Sequence, residues 1–173
     1  AYNKTLVLKP DYAAAYNNMG NILQEQGKLE EAIEAYNKTL VLKPDYAAAY
    51  NNKGNALQDQ GKLEEAIEAY SKALALKPDY ASANYNMGAA LQGQGKWEEA
   101  IEAYNKAISL KPDYADAYYN MGITLQGQSK LEEAIEACNK AIAIKPNYAE
   151  AYKNKGAALQ EQGKLEEAIE AYN

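Results

Sequence analysis

Five asparagines recur at a fixed interval of 34 residues, at Asn18, Asn52, Asn86, Asn120 and Asn154. Of all the side chains in this sequence, theirs are the best spaced to act together, and the chemistry open to them is recognition. A primary amide offers donors and an acceptor, matching the donor–acceptor pair of a peptide bond. A row of such amides could hold an extended peptide by its backbone, with little demand on its side chains. Asparagine is a poor helix former, so a row of it within helices asks for a reason beyond propensity. Two blander readings stand beside that one. Each amide could bond a carbonyl of the adjacent helix and lock a stack, or internal duplication could have copied an idle residue.

Groupings that would do covalent chemistry are missing from the sequence. Histidine is absent, which removes the commonest general base and metal ligand. The adjacent acids Glu64 and Glu65, and their copies, sit at helix starts where carboxylates favour the positive end of the dipole. Cys138 lies on an apolar stripe with no histidine or arginine to lower its pKa, so it reads as an inert core thiol. The glycines are spaced by helix packing and not as a phosphate-cradling loop. The expectation is a non-enzyme with no cofactor and no metal.

The elements that carry the asparagines follow from a tetrapeptide. Lys-Pro-Asp-Tyr begins at Lys9, Lys43, Lys77 and Lys111, and returns as Lys-Pro-Asn-Tyr at Lys145. A fixed period of this size marks one supersecondary unit that cannot bury its apolar face alone and must stack on its neighbours. In residues 47–80, Tyr50, Gly54 and Leu57 share one side of a first helix. Asp45 stands where its carboxylate could cap that helix. Gly61 supplies a left-handed residue at its end. A second helix runs from Leu63 to about Leu76, and Pro78 prevents its continuation. Five in-register glycines, Gly20, Gly54, Gly88, Gly122 and Gly156, suggest that a Cβ there would clash. Glu68 with Lys72, and its copies, reads as a solvated outer face.

This pattern resembles the tetratricopeptide repeat: 34 residues, helix–turn–helix, with an aromatic, a small and a large apolar residue along the first helix. Here these are Tyr50, Gly54 and Leu57, matched on the second helix by Ala66, Tyr70 and Ala73 and closed by Pro78. The resemblance implies an all-α fold, an α–α superhelix built as a right-handed solenoid of antiparallel helix pairs. The repeats run 13–46, 47–80, 81–114, 115–148 and 149–173, the last incomplete, after the tail of a preceding second helix at 1–12. It also places first helices on the inside of the superhelix, so the asparagines would line a groove. With them go Asn21 and Asn55, and Tyr85 and Tyr119 for apolar contact. The glutamines Gln24, Gln58, Gln92, Gln126 and Gln160 would either flank a ligand or face the neighbouring repeat. The asparagine row resembles the ladder in the repeat region of O-linked N-acetylglucosamine transferase. The basic clamp by which other members hold acidic chaperone tails is not matched, since only Lys153 falls on it.

Departures from the pattern single out repeat four. Ser129 stands where the other repeats have the turn glycine, and a serine at positive φ costs on the order of 1 kcal/mol. Cys138 replaces the second-helix tyrosine. In repeat three Asn84 replaces the first-helix tyrosine, with Tyr85 beside it, and Trp97 replaces a leucine and reads as core packing. The net charge is −6 and there is no arginine, which makes nucleic acid an unsuitable partner. No apolar run reaches the ~18 residues that span a bilayer, so no membrane partner is expected. The lone cysteine fits a reducing, cytoplasmic setting. The expected partner is a protein or peptide in extended form. The sequence opens at Ala1-Tyr2-Asn3 and closes at Ala171-Tyr172-Asn173, equivalent positions inside a second helix. It therefore reads as an excerpt of a longer array whose apolar ends stack end to end, a structural-spacer alternative to ligand binding.

Overall fold

The Lys-Pro-Asp-Tyr tetrapeptide is the joint between successive helix pairs. In the computed structural model, which describes residues 10–173, the amides of Tyr46, Tyr80, Tyr114 and Tyr148 donate to the carbonyls of Lys43, Lys77, Lys111 and Lys145 at 3.1–3.2 Å. Proline in second place pre-sets the φ that such a turn needs. Each lysine then folds its ammonium over its own tyrosine ring, 4.1–4.9 Å from the centroid. The expectations for Ala1-Tyr2-Asn3 and most of the 1–12 tail lie outside the described residues. Pro10–Tyr12 begin the first described helix.

Ten helices follow: α1 (Pro10–Glu25), α2 (Leu29–Leu42), α3 (Ala47–Asp59), α4 (Leu63–Leu76), α5 (Ala81–Gly93), α6 (Trp97–Leu110), α7 (Ala115–Gly127), α8 (Leu131–Ile144), α9 (Ala149–Glu161) and α10 (Leu165–Tyr172). There is no strand among the described residues. The chain divides into two units at Ala83/Asn84, inside α5. In the first unit α1 packs on α2, α3 on α4, α2 on α3, and α1 touches α3. In the second, α6 packs on α7, α7 on α8, α8 on α9 and α9 on α10, while α7 touches α9. Within a unit, then, first helices lie beside first helices, and each second helix is wedged against the next pair.

The glycine expectation holds, with a specific partner. A Cβ built on Gly54 would stand 2.5 Å from Cε1 of Tyr70, and one on Gly20 or Gly88 would meet Tyr36 or Tyr104 at 2.5 and 2.7 Å. These rings are fully buried. The second helix therefore presses a flat aromatic face onto bare backbone. In repeat four Cys138 takes the ring's place, and the nearest atom to a Cβ on Gly122 is its Sγ at 3.1 Å. Between repeats, Ile101 packs against Leu125 and Ala134, and Ile135 against Leu159 and Ala168.

Two local expectations need correcting or completing. Asp45 does not cap α3: Tyr46 occupies the N-cap without a side-chain hydrogen bond, and the Asp45 carbonyl accepts from Ala47 N–H at 3.2 Å. The turn consumes the residue that a cap would have used. Glycine at the helix exit is confirmed, with φ of 73–77° at Gly27, Gly61, Gly95 and Gly163. Ser129 is forced to φ 60° at the same place. The outer face is solvated as expected, with Lys72–Glu68 at 2.7 Å and Lys140–Glu136 at 2.8 Å, both pairs more than half exposed.

Ser129→Gly should stabilise the protein by about 1 kcal/mol, read as a higher urea midpoint, because it relieves the left-handed strain. Gly88→Ala should destabilise by roughly 1–3 kcal/mol through overpacking against Tyr104, against about 1 kcal/mol of helix propensity in its favour. Gly122→Ala should be much milder, because a thiol can yield where a ring cannot. Equal losses at Gly88 and Gly122 in thermal melts would show that the ring is not the reason for the glycine.

Candidate peptide-binding face

First helices lying side by side bring repeat-equivalent side chains within bonding reach, and the asparagine row is where this shows. Asn52 donates from Nδ2 to Asn21 Oδ1 at 3.0 Å and Asn17 Oδ1 at 3.3 Å in the preceding repeat. It also accepts from Asn51 Nδ2 at 3.4 Å. Asn120 donates to the Tyr85 hydroxyl, again one repeat back, at 2.9 Å, while its Oδ1 has no partner among the described residues. Asn18 is exposed and Asn154 half-buried, and neither side chain has a hydrogen bond among the described residues. Asn86 is half-buried and engaged. The row is thus graded, from fully used at Asn52 to open at Asn18 and Asn154. Asn52 and Asn120 bond the preceding repeat side chain to side chain.

The other amides anchor the core tyrosines. Tyr36 shares its hydroxyl proton between Asn21 Oδ1 at 2.9 Å and Gln24 Oε1 at 3.1 Å. Tyr70 does the same with Asn55 and Gln58, both at 2.9 Å, and Tyr104 donates to Gln92 at 2.7 Å. Asn21 and Asn55 therefore serve the helix pair. Gln24 reaches on to Asp59 at 2.7 Å, and Gln126 similarly to Glu161. Gln24 and Gln126 thus face the next repeat, while Gln58 and Gln92 bond the core tyrosine of their own pair. Burial pushes the Tyr36 phenol up to about 12, with Asp59 and Glu25 adding to it, and burial raises Tyr70 and Tyr104 as well.

Rings gather on the same face in the second unit. Tyr85 is half-buried and lies 4.9 Å from Tyr114 and 6.0 Å from Tyr104, centroid to centroid. Asn84 beside it is buried. Tyr119 lies 5.1 Å from Tyr148, whose hydroxyl donates to Asp116 Oδ1 at 2.8 Å. Sequence reasoning had assigned Tyr114 and Tyr148 only to the turn. Their 34-residue spacing, five residues ahead of Tyr119 in the case of Tyr114, was the available signal. Cys138 is buried, and burial pushes its thiol up to about 11, which agrees with an inert core role. Among the described residues no group of three or more His, Cys, Asp or Glu side chains could hold a metal ion. No described helix is long and apolar enough to cross a membrane.

A stack of antiparallel helix pairs with polar and aromatic side chains on its first helices is the arrangement of a repeat scaffold. Models of the TPR repeat match residues 20–61, 54–95 and 93–129, and models of the tetratricopeptide repeat match 115–148, 1–34 and 137–170. The chain belongs to the tetratricopeptide repeat family, whose members bind protein or peptide partners. The crystal structure of MamA is similar at 33% identity and TM-score 0.83, covering 88% of this chain and 90% of that one. MamA from Desulfovibrio magneticus is 25% identical at TM-score 0.86, over 94% and 92%. YrrB, described as a TPR protein with an unusual peptide-binding site, is 26% identical at TM-score 0.76, over 92% and 82%. A search of curated proteins finds no match.

The raised core tyrosines set an alkaline limit. The Tyr36 phenol ionises near 10 when unfolded and about 12 when folded, so its contribution to stability is whole below pH ~10 and is lost as pH rises through ~12. Melting temperature should hold from about pH 7 to 9 and fall steeply above about pH 10, with tyrosinate absorbance appearing together with loss of helix. Tyrosinate appearing in full while the helices stay intact would contradict this.

Proposed function

We propose that the chain is a non-catalytic scaffold that holds an extended segment of another protein against its first helices. Backbone contacts would come from the open amide of Asn154 and the free carbonyl of Asn120 in the second unit, with Asn86 beside them. Tyr85 and Tyr119 add apolar area. Asn52, whose amide is used by its neighbours, locks the stack. One observation carries this reading: a primary amide recurs at the same position of every first helix, yet Asn120 and Asn154 leave bonding capacity unused within the fold. The net charge of −6 and the absence of arginine support a protein partner over nucleic acid.

Peptide display on the intact chain should recover ligands whose binding falls about fivefold or more in the Asn120→Ala/Asn154→Ala variant. That corresponds to the usual net of about 0.5–1.5 kcal/mol for each lost neutral hydrogen bond. Asn52→Ala should instead lower the melting temperature, with a smaller loss of binding. Unchanged affinity in the double variant, with stability lost, would mean that the asparagines only lock the stack.

A further inference from the structure

Tyr85 of α5 keeps one hydrogen-bonding group in reserve. Its ring is spent on packing, 4.9 Å from the Tyr114 ring and 6.0 Å from that of the fully buried Tyr104, so the direction of its hydroxyl is fixed. The hydroxyl oxygen accepts from Asn120 Nδ2 of α7 at 2.9 Å, while its proton has no acceptor among the described residues. Asn120 is the converse case. Its Nδ2 is committed to Tyr85, which orients the carboxamide, and its Oδ1 accepts nothing among the described residues. Both side chains are half-buried and keep part of their surface open. One bond thus ties a fixed donor to a fixed acceptor across neighbouring first helices. In the first unit the same two repeat positions hold Asn17 and Asn52, and there the Asn52 amide is taken up by Asn17, Asn21 and Asn51. Tyr119 and Asn154 repeat the two residue types one repeat on, but no bond joins them among the described residues.

A donor and an acceptor held side by side match the main chain of an extended segment. In a strand the N–H and C=O of one residue point to the same side, which is how a hydrogen-bonded pair exchanges both bonds with the single residue opposite. We propose that the Tyr85 hydroxyl and the Asn120 carboxamide form one subsite that takes a single residue of an extended peptide. The hydroxyl donates to that residue's C=O, and Oδ1 accepts from its N–H. The inference rests on the peptide reading above. It gives that reading a register, and it gives Tyr85 a polar role beside its apolar one. The residue seated here must keep its N–H, so proline is excluded from that one position.

The test uses the intact chain and a display library of short peptides. A recovered peptide that depends on Asn120 is remade with its amide bonds replaced one at a time by esters. Each ester removes one N–H and weakens the carbonyl of the preceding residue as an acceptor. The ester that deletes the seated residue's N–H should weaken binding about fivefold, the cost of one neutral hydrogen bond. The next ester along, which weakens that residue's carbonyl, should cost about twofold or more. The first loss should vanish in Asn120→Ala and the second in Tyr85→Phe, which keeps the ring and its packing. Losses that persist in both variants, or that couple to esters not adjacent in the peptide, overturn the proposal. So does a Tyr85→Phe variant that binds the unmodified peptide as tightly as the parent, since the hydroxyl then serves only the stack. In either case the peptide reading stands, because the recovered peptide still depends on Asn120. Failure of that reading looks different: display recovers no peptide that depends on Asn120 and Asn154, and both inferences fall together.

Discussion

The contact between a tyrosine ring and a bare glycine backbone sets the geometry of every described helix pair but the fourth, and the other features follow from it. With Gly54 under Tyr70 the two helices approach until the ring lies flat on the first helix, and any Cβ would hold them apart. Burying the ring strands its hydroxyl, and a buried phenol without an acceptor costs free energy. Asn55 and Gln58 supply the acceptors for Tyr70, as Asn21 and Gln24 do for Tyr36. Repeat four shows the dependency in reverse. Cys138 has no phenol to satisfy, and Ile123 stands where Asn21 and Asn55 do. In repeat three, where that position is Ala89, Gln92 alone takes the Tyr104 proton.

Where a side chain obeyed one local rule, its place was legible in the sequence. The period gave the helix pairs, the glycine before Lys62 gave the left-handed exit, and Ser129 was visibly out of place there. Asp45 misled because two local rules compete for it. A carboxylate ahead of a helix can cap, but here the main chain turns between the Tyr46 N–H and the Lys43 carbonyl, with the lysine seated over the tyrosine, and Asp45 is left off the N-cap. The amides misled more, since a primary amide reads identically whether it serves a ligand, a neighbour or a core hydroxyl. Asn21 and Asn55 satisfy tyrosines, Asn52 ties repeats together, and Asn154 stays open. Only contacts one repeat or half a repeat away separate these roles.

The first helices consequently do two jobs with one chemistry. In the first unit the side-by-side helices meet through an amide cluster of Asn17, Asn21, Asn51 and Asn52. In the second the meeting surface is aromatic, with Tyr85 receiving Asn120 and Tyr119 set against Tyr148. Tyrosine in place of asparagine at this repeat position changes the face from polar to ring-lined, and in repeat three that ring also packs 6.0 Å from the buried Tyr104.

The placement of Trp97 gives the molecule a built-in optical reporter. It is the single tryptophan against 16 tyrosines and no phenylalanine. Its ring lies beside Gly127 of the following repeat, leaving room for a Cβ there at ordinary contact distance, 3.8 Å from the ring. Indole emission therefore senses the junction between the third and fourth repeats, while tyrosine signals average over the whole array. If the two signals part during unfolding, the junction beside the strained serine turn is opening separately from the rest. The native sequence can thus resolve the cooperativity of its own repeats without an added dye.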